Sequence, residues 1–432
     1  MPEKAGVVAL HPTSAARHSR SESSFVFSCL MVFTFLLFIA PQFIFPDLLS
    51  LHLPTVVGGL AVVAYVFDRI SCNRPLTVRG PAVRLILSFV ALGVLSIPFS
   101  YWPRGSLDSL LEDMSRALAI FFLMANTINT ARRMKLMVGS MALWAIIMSA
   151  TAIQEFVGSI GFAADFRIRT YGSPLTTNAN DLALTLNLVL ALVAGLYFAT
   201  RQLLPKLVLL ATMILFASGV IVTFSRGGFL TLATIVAFLA LREVRGKTPG
   251  RMVVFVMLVL LLSFLIPSGY TDRLYSMIDF SYDPVGSAPE RWKGNGRALR
   301  IMLEHPLFGV GFNMDTLATV EKGGGWIDTH NAYLKVGAGL GIPGLVVYLL
   351  LIWHVFKAIR EGQRELHGFP DARELLALGR GVEVALLAYS VAAFFHSVPF
   401  HLYFYYVAGF AIAFREMARR FALQAQQQMR PA

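Results

Sequence analysis

Runs of about 20 mostly apolar residues recur along this chain, and a run of that length is what an α-helix needs to cross a bilayer. They fall near 25–45, 48–66, 82–100, 106–126, 134–156, 180–199, 206–224, 227–241, 251–267, 331–356, 381–396 and 399–414. The pattern predicts an all-α integral membrane protein of about twelve transmembrane helices. The fourth run is the least regular, with Asp108, Glu112, Asp113 and Arg116 in its first half. The first run is too long for a signal-peptide core and lacks an obvious small-residue cleavage site, so it reads as an uncleaved span.

Two polar segments break the series, 157–179 and 268–329. The predicted organisation is a polar tail over 1–24, helices one to nine over 25–267, a large loop over 268–329, helices ten to twelve over 330–416, and a second tail over 417–432. Within the loop, residues 291–305 read as a short amphipathic helix ended by Pro306. Such a helix is suited to lying along a membrane surface.

Composition agrees with a membrane body. Hydrophobic residues are 56% of the chain and charged residues 14%, against roughly 25% charged in soluble domains. The net charge of +12 does not indicate nucleic acid, because the basic residues sit in short clusters between spans. With the N-terminus inside, 25 of the 37 lysines and arginines fall in cytoplasmic segments, as membrane topology requires. Omitting the fourth helix would put Arg132, Arg133 and Lys135 outside. Both termini are therefore expected in the cytoplasm and the large loop on the outer face. Cys29 and Cys72 have no bridging or metal-ligand spacing and read as structural. No metal motif, P-loop or dinucleotide fingerprint stands in the right context, so no cofactor is expected. The glycines at 337, 339 and 341 read as permitting close helix packing.

The outer segments nonetheless gather arginines: Arg167 and Arg169, Arg226 between two apolar runs, and Arg291, Arg297 and Arg300 with Lys293. A charge such as Arg226 is costly at a span end unless it reaches water or a partner. Guanidinium binds phosphate through paired hydrogen bonds and keeps its charge when partly desolvated, so a diphosphate at the membrane surface is a fitting partner. Arg167 and Arg169 are equally well read as ordinary interfacial arginines. His330 stands where the Gly-rich end of the loop meets the next span, beside Asp328, Asn331 and Tyr333. The plain reading is a hydrogen-bonded histidine at a helix start. The functional one is a neutral imidazole that takes a proton from a hydroxyl, with Asp328 to orient it. His305, His354, His396 and His401 lack that setting.

Four ordered pieces resemble the O-antigen ligase and polymerase superfamily. They are Gly172–Asn178 with Asn180; Ser225-Arg226-Gly227-Gly228; Gly296-Arg297 followed by His305–Gly311; and Thr329–Leu334 followed by Gly339, Gly341 and Gly344. The resemblance covers about 165–350. It implies a GT-C-like, metal-independent glycosyltransferase of the bacterial inner membrane with a periplasmic site. The implied donor is a glycan on undecaprenyl diphosphate, and the implied acceptor in a ligase is a hydroxyl of lipid A–core. Carried over, His330, Arg226 and Arg297 become catalytic, with Arg300 able to replace Arg297. Arg167, Arg169, Arg291, Arg300, Asp328, Asn331 and Tyr333 become substrate contacts. A polymerase or a protein O-oligosaccharyltransferase would use the same donor. A transporter of lipid-linked glycan is the reading from another class, and the two related halves it would favour are not seen.

Overall fold

The computed structural model describes residues 24–158, 175–244, 287–321 and 328–428. The described residues are helical, with no strand among them. The helices are α1 (Ser24–Phe38), α2 (Leu53–Ser71), α3 (Pro81–Ser96), α4 (Pro103–Ser109 continued by Ser115–Thr127), α5 (Ala131–Gly158), α6 (Ala179–Ala199) and α7 (Leu203–Val222). They continue with α8 (Arg226–Val244), α9 (Ser287–Glu304), α10 (Asp315–Glu321), α11 (Ala332–Glu365), α12 (Arg373–Ala392) and α13 (Leu402–Gln428).

Eight spans among the described residues are long and apolar enough to cross a membrane. Three further expected spans are helical but fall short. The fourth, α4, is interrupted by a π-helical turn at Leu110–Met114, where Glu112 and Asp113 lie. The apolar part of α8 is short, Arg226–Leu241. The second half of α13 carries Arg415, Glu416, Arg419 and Arg420. The expected span at 251–267 lies outside the described residues.

Local sequence sets the helix starts. Proline opens α2, α3 and α4, where its missing N–H removes no intrahelical bond. Asn178 caps α6, its side-chain oxygen accepting from the backbone of Asn180 and Asp181. Asn331 caps α11 in the same way, through Tyr333 and Leu334. Each cap satisfies two of the N–H groups that a helix start leaves open.

At the centre, α6 is the most buried span and packs against α5, α7, α8 and α12. Its closest approach is to α12, where Gly195 and Gly381 meet backbone to backbone. A Cβ on Gly381 would lie 2.8 Å from the Gly195 Cα. α13 packs on α4, α11 and α12, and an aromatic layer fills the space between them. There the Tyr348 and Tyr389 hydroxyls are 2.6 Å apart, and Phe312 lies on Phe400 at 4.2 Å between ring centres.

The tenth expected span is not one helix. α11 breaks at Gly341, whose φ of 71° and ψ of −173° belong to a region that essentially only glycine enters. The segment after α9 fills the break. Ile342 N–H donates to Pro306 O at 2.8 Å, and Val310 and Gly311 N–H donate to Ala338 and Gly339 O at 3.0 Å each. The glycine run thus receives a loop rather than a neighbouring helix. α9 is helical where the amphipathic stretch was expected. Its inner face packs on α11 through Ala298 and Ile301, and Trp292, Leu299 and Leu303 remain exposed.

The α6–α12 crossing gives a test. Gly381→Ala must push two backbones apart and is expected to destabilise by about 1–3 kcal/mol, read as a lower melting temperature in detergent. Gly139→Ala, which meets nothing within 4 Å, should leave the melting temperature level or slightly raised.

Candidate active site at one end of the bundle

α6, α8 and α11 all begin at one end of the bundle, and the turn 393–401 between α12 and α13 crosses it. Ala332 N–H donates to Ala393 O at 2.8 Å, tying the start of α11 to that turn. The Tyr333 hydroxyl donates to Ser390 O at 2.8 Å, and its ring lies on Phe394. Asn331 and Tyr333, expected as substrate contacts, therefore hold the frame: the amide oxygen of one is used in capping and the hydroxyl of the other in anchoring α11.

The Ser225–Gly228 motif is a second piece of frame. Ser225 Oγ accepts from Gly228 N–H at 3.1 Å and donates to Asn180 Oδ1 at 2.7 Å. This caps α8 and joins it to α6. A Cβ on Gly227 would lie 2.8 Å from the Phe395 Cβ, and one on Gly228 would lie 2.6 Å from the Ala183 Cβ. Glycines at these two positions let α8 start here with Gly227 against Phe395, and half-buried Arg226 takes the first position of the helix.

Around these starts lies a polar cluster. Asp328 Oδ1 accepts from Lys335 Nζ at 3.0 Å and from Thr316 Oγ1 at 3.2 Å. Its Oδ2 accepts from Ser397 Oγ at 2.5 Å. Burial pushes its carboxyl up, but Lys335, Ser397 and the nearby His330 more than offset this, and the net shift is downward. Lys335 is 7% exposed and also faces Asp315, 3.6 Å away and fully buried. One ammonium thus serves two carboxylates from separate segments of the loop. Asp328 was expected to orient His330. Its hydrogen bonds pin the loop end to α11 and to the 393–401 turn.

His396 was passed over in the sequence. It is 5% exposed, with Nδ1 4.0 Å from Asp181 Oδ1. Burial first, then the positive charge of Arg291 and His330, pushes it down to about 3. It is neutral at physiological pH, so its contact with Asp181 is not a charged pair. Asp181 is held by the Thr177 hydroxyl and by Asn178 Nδ2 at 2.7 Å. These influences bring Arg291, His330, His396 and Asp328 into one neighbourhood. The signal for His396 was its place in a short turn opposite His330, which spacing alone does not reveal.

On α9 the arginines part company. Arg297 lies on the side of Gly294, Ala298 and Ile301, and its Nη1 is buried without a hydrogen-bond partner. Arg300 is exposed. Arg291 is half-buried and faces His396. Arg167 and Arg169 lie outside the described residues. Beyond His401 is a mostly apolar recess of about 220 Å³ whose polar lining is Gln42, His52, Thr55, Asp113 and Arg116. Burial lowers the His401 imidazole, and Asp113 and Asp181 partly offset that.

Residues 210–349 match the family model described as O-antigen ligase. Over that region the sequence is similar to that family. The match spans Ser225–Gly228, Gly296-Arg297, His305–Gly311 and Thr329–Gly344, and so bears out the resemblance read from their order. Members of the family are membrane glycosyltransferase-like enzymes, and the apolar helices agree with a multi-pass membrane protein. No curated protein matches the chain. A solved chain from work described as "Structural coordination of polymerization and crosslinking by a peptidoglycan synthase complex" aligns at 18% identity and a TM-score of 0.43. The alignment covers 79% of this chain and 98% of that one, a likeness too distant to argue from.

The shared lysine gives two expectations. Lys335→Met leaves fully buried Asp315 and half-exposed Asp328 without their ammonium and should cost about 3–5 kcal/mol, whereas Lys335→Met with Asp315→Asn should recover part of the loss in a thermal melt. The Asp328 carboxyl is lowered in the fold, so its contribution is complete above the ordinary value of 3.8 and is lost as pH falls through the lower folded value. Asp328→Asn should flatten the acid limb of a stability-against-pH profile below 3.8.

Proposed function

We propose that this protein is an O-antigen ligase. It transfers a glycan from undecaprenyl diphosphate to a sugar hydroxyl of lipid A–core on the periplasmic face of the inner membrane. The observation that carries the reading is the gathering of His330, Arg291 and neutral His396 at the end of the bundle where Arg226 begins α8. An imidazole beside fixed guanidinium groups suits the reaction of a hydroxyl with a diphosphate-linked sugar.

In this mechanism His330 accepts the acceptor's proton while its oxygen bonds to the anomeric carbon. The anomeric C–O bond to the diphosphate breaks, and undecaprenyl diphosphate leaves with the electron pair. Attack from the face opposite the leaving group inverts the centre. Arg226 and Arg297, joined by Arg291, bind the diphosphate and stabilise the charge that grows on it. Preorganised donors of this kind contribute about 2.7–4 kcal/mol each in well-studied sites. The buried open Nη1 of Arg297 supports its assignment over exposed Arg300. Arg167 and Arg169 are retained as proposed contacts of the same diphosphate. Both substrates keep their lipid tails in the bilayer while the sugars meet above it.

A polymerase or a protein O-oligosaccharyltransferase shares the donor half of this scheme and differs in the acceptor. Purified protein given lipid-linked glycan and lipid A–core separates them by product, read on gels or by mass. Transfer in detergent without an ion gradient also separates an enzyme from a transporter. His330→Ala is expected to lower transfer by about 10²–10⁴-fold while donor binding persists. Transfer at near wild-type rate in that variant overturns the role. Arg226→Lys should be poorly tolerated, because the paired hydrogen bonds are lost.

A further inference from the structure

A cavity of about 610 Å³ opens at the other end of the bundle, between the ends of α2 and α4 and the second half of α13. α13 starts beside His401 and rises about 1.5 Å per residue, so Arg419 stands roughly 25 Å from the candidate active site. Five arginines line the cavity, Arg69, Arg74, Arg79, Arg419 and Arg420, against one carboxylate, Glu416. Among the described residues, no ion pair joins Arg69, Arg79, Arg419 or Arg420 to a carboxylate.

The cavity is built rather than incidental. Asn126 is buried and accepts from Val78 N–H at 3.0 Å, while its Nδ2 donates to Thr77 Oγ1 and to Phe122 O. The Tyr65 hydroxyl holds Leu76 O. These bonds fasten the loop after α2 to the end of α4. Arg69 is held over the Tyr65 ring and donates to Asn126 O at 3.2 Å, but its Nε is buried without a hydrogen-bond partner. Topology asks for positive charge at this end of the helices. It does not ask for five arginines lining one recess with a buried open donor on Arg69, and like charges gathered this way favour a bound anion. Guanidinium suits phosphate in particular.

The surface beside the cavity indicates what carries the phosphate. Val63, Phe67 and Ile70 are 67%, 72% and 68% exposed on α2, and their four- and three-residue spacing sets them on one face. That stripe ends at the level of Arg69. We propose that this cavity binds the phosphate headgroup of an anionic phospholipid from the leaflet opposite the candidate active site, with the acyl chains along the α2 stripe.

The test uses the full chain in detergent, with lipid retention read by native mass spectrometry. Phosphatidylglycerol is expected to bind at least about tenfold more tightly than phosphatidylcholine, and Arg419→Gln with Arg420→Gln should weaken it by at least about tenfold. Arg201→Gln with Arg373→Gln removes the same charge from the same end of the bundle, outside the cavity, and should bind as wild type. Equal retention of the two lipids overturns the proposal. An equal loss in the Arg201 and Arg373 control does so too, since it means diffuse surface charge. Competition by inorganic phosphate at concentrations matching the lipid also overturns it, in favour of a free-anion site. If the Arg419 and Arg420 double variant melts well below wild type, Arg79→Gln alone carries the comparison.

Discussion

The constraint on which the site depends is the open backbone at the Gly341 break. A helix interrupted within an apolar span exposes carbonyl groups that neither lipid nor a neighbouring helix can satisfy, and each such group costs several kcal/mol. Here the Pro306–Gly311 segment supplies the partners, with Val310 and Gly311 donating to Ala338 and Gly339 and Pro306 accepting from Ile342. The two segments approach this closely because glycine stands at 309 and 311 on one side and at 339 and 341 on the other. Gly309 has φ of 63°, and a side chain there would lie 2.3 Å from the Gly339 carbonyl carbon. The break therefore acts as a socket. It fixes the end of α9, and with it the arginines of that helix, to the helix whose first turn follows His330.

Charge reinforces the socket. Lys335 lies two turns before Gly341 and joins Asp315 and Asp328, one on each side of the loop stretch that leads to His330. Ser397 adds the 393–401 turn to the same carboxylate. Three chain points, at 315, 328 and 397, are thereby referred to one buried ammonium. A buried ion pair of this kind is weak evidence for net stability. Its value here is positional, since losing one partner releases a segment that carries a candidate site residue.

The helical membrane body was legible in the sequence because a bilayer leaves few options, and apolar length reports directly on a span. The ordered motifs were legible because glycine, serine and asparagine have narrow uses at helix starts. Asn178 and Asn331 cap helices, and Ser225 caps α8 while its glycines admit the Phe395 turn. What could not be read was convergence. His396 and Lys335 look like an unremarked turn residue and a stray charge in a span, because their meaning comes from Asp181, Asp315 and Asp328, which the chain brings from other places. The helix break was hidden for a related reason. Gly337–Gly341 reads as small residues for helix packing, and only the partner segment shows that the small surface receives a backbone.

The cluster also separates two histidines that look alike in sequence. His396 is almost fully buried and is driven down to about 3 by burial and by the charges of Arg291 and His330. A base that weak gains almost no proton at neutral pH, and a side chain so enclosed is out of reach of a bulky acceptor such as the one proposed. It suits a fixed, uncharged wall beside Asp181. His330 is half-exposed and sits immediately before the Asn331 cap, where the first turn of α11 and the 393–401 turn hold the backbone on either side. Proton transfer needs a group that a substrate can touch and that the fold keeps in place. Of the two imidazoles, His330 meets both requirements for the base role proposed for it, and His396, being uncharged, adds no further positive charge beside the arginines.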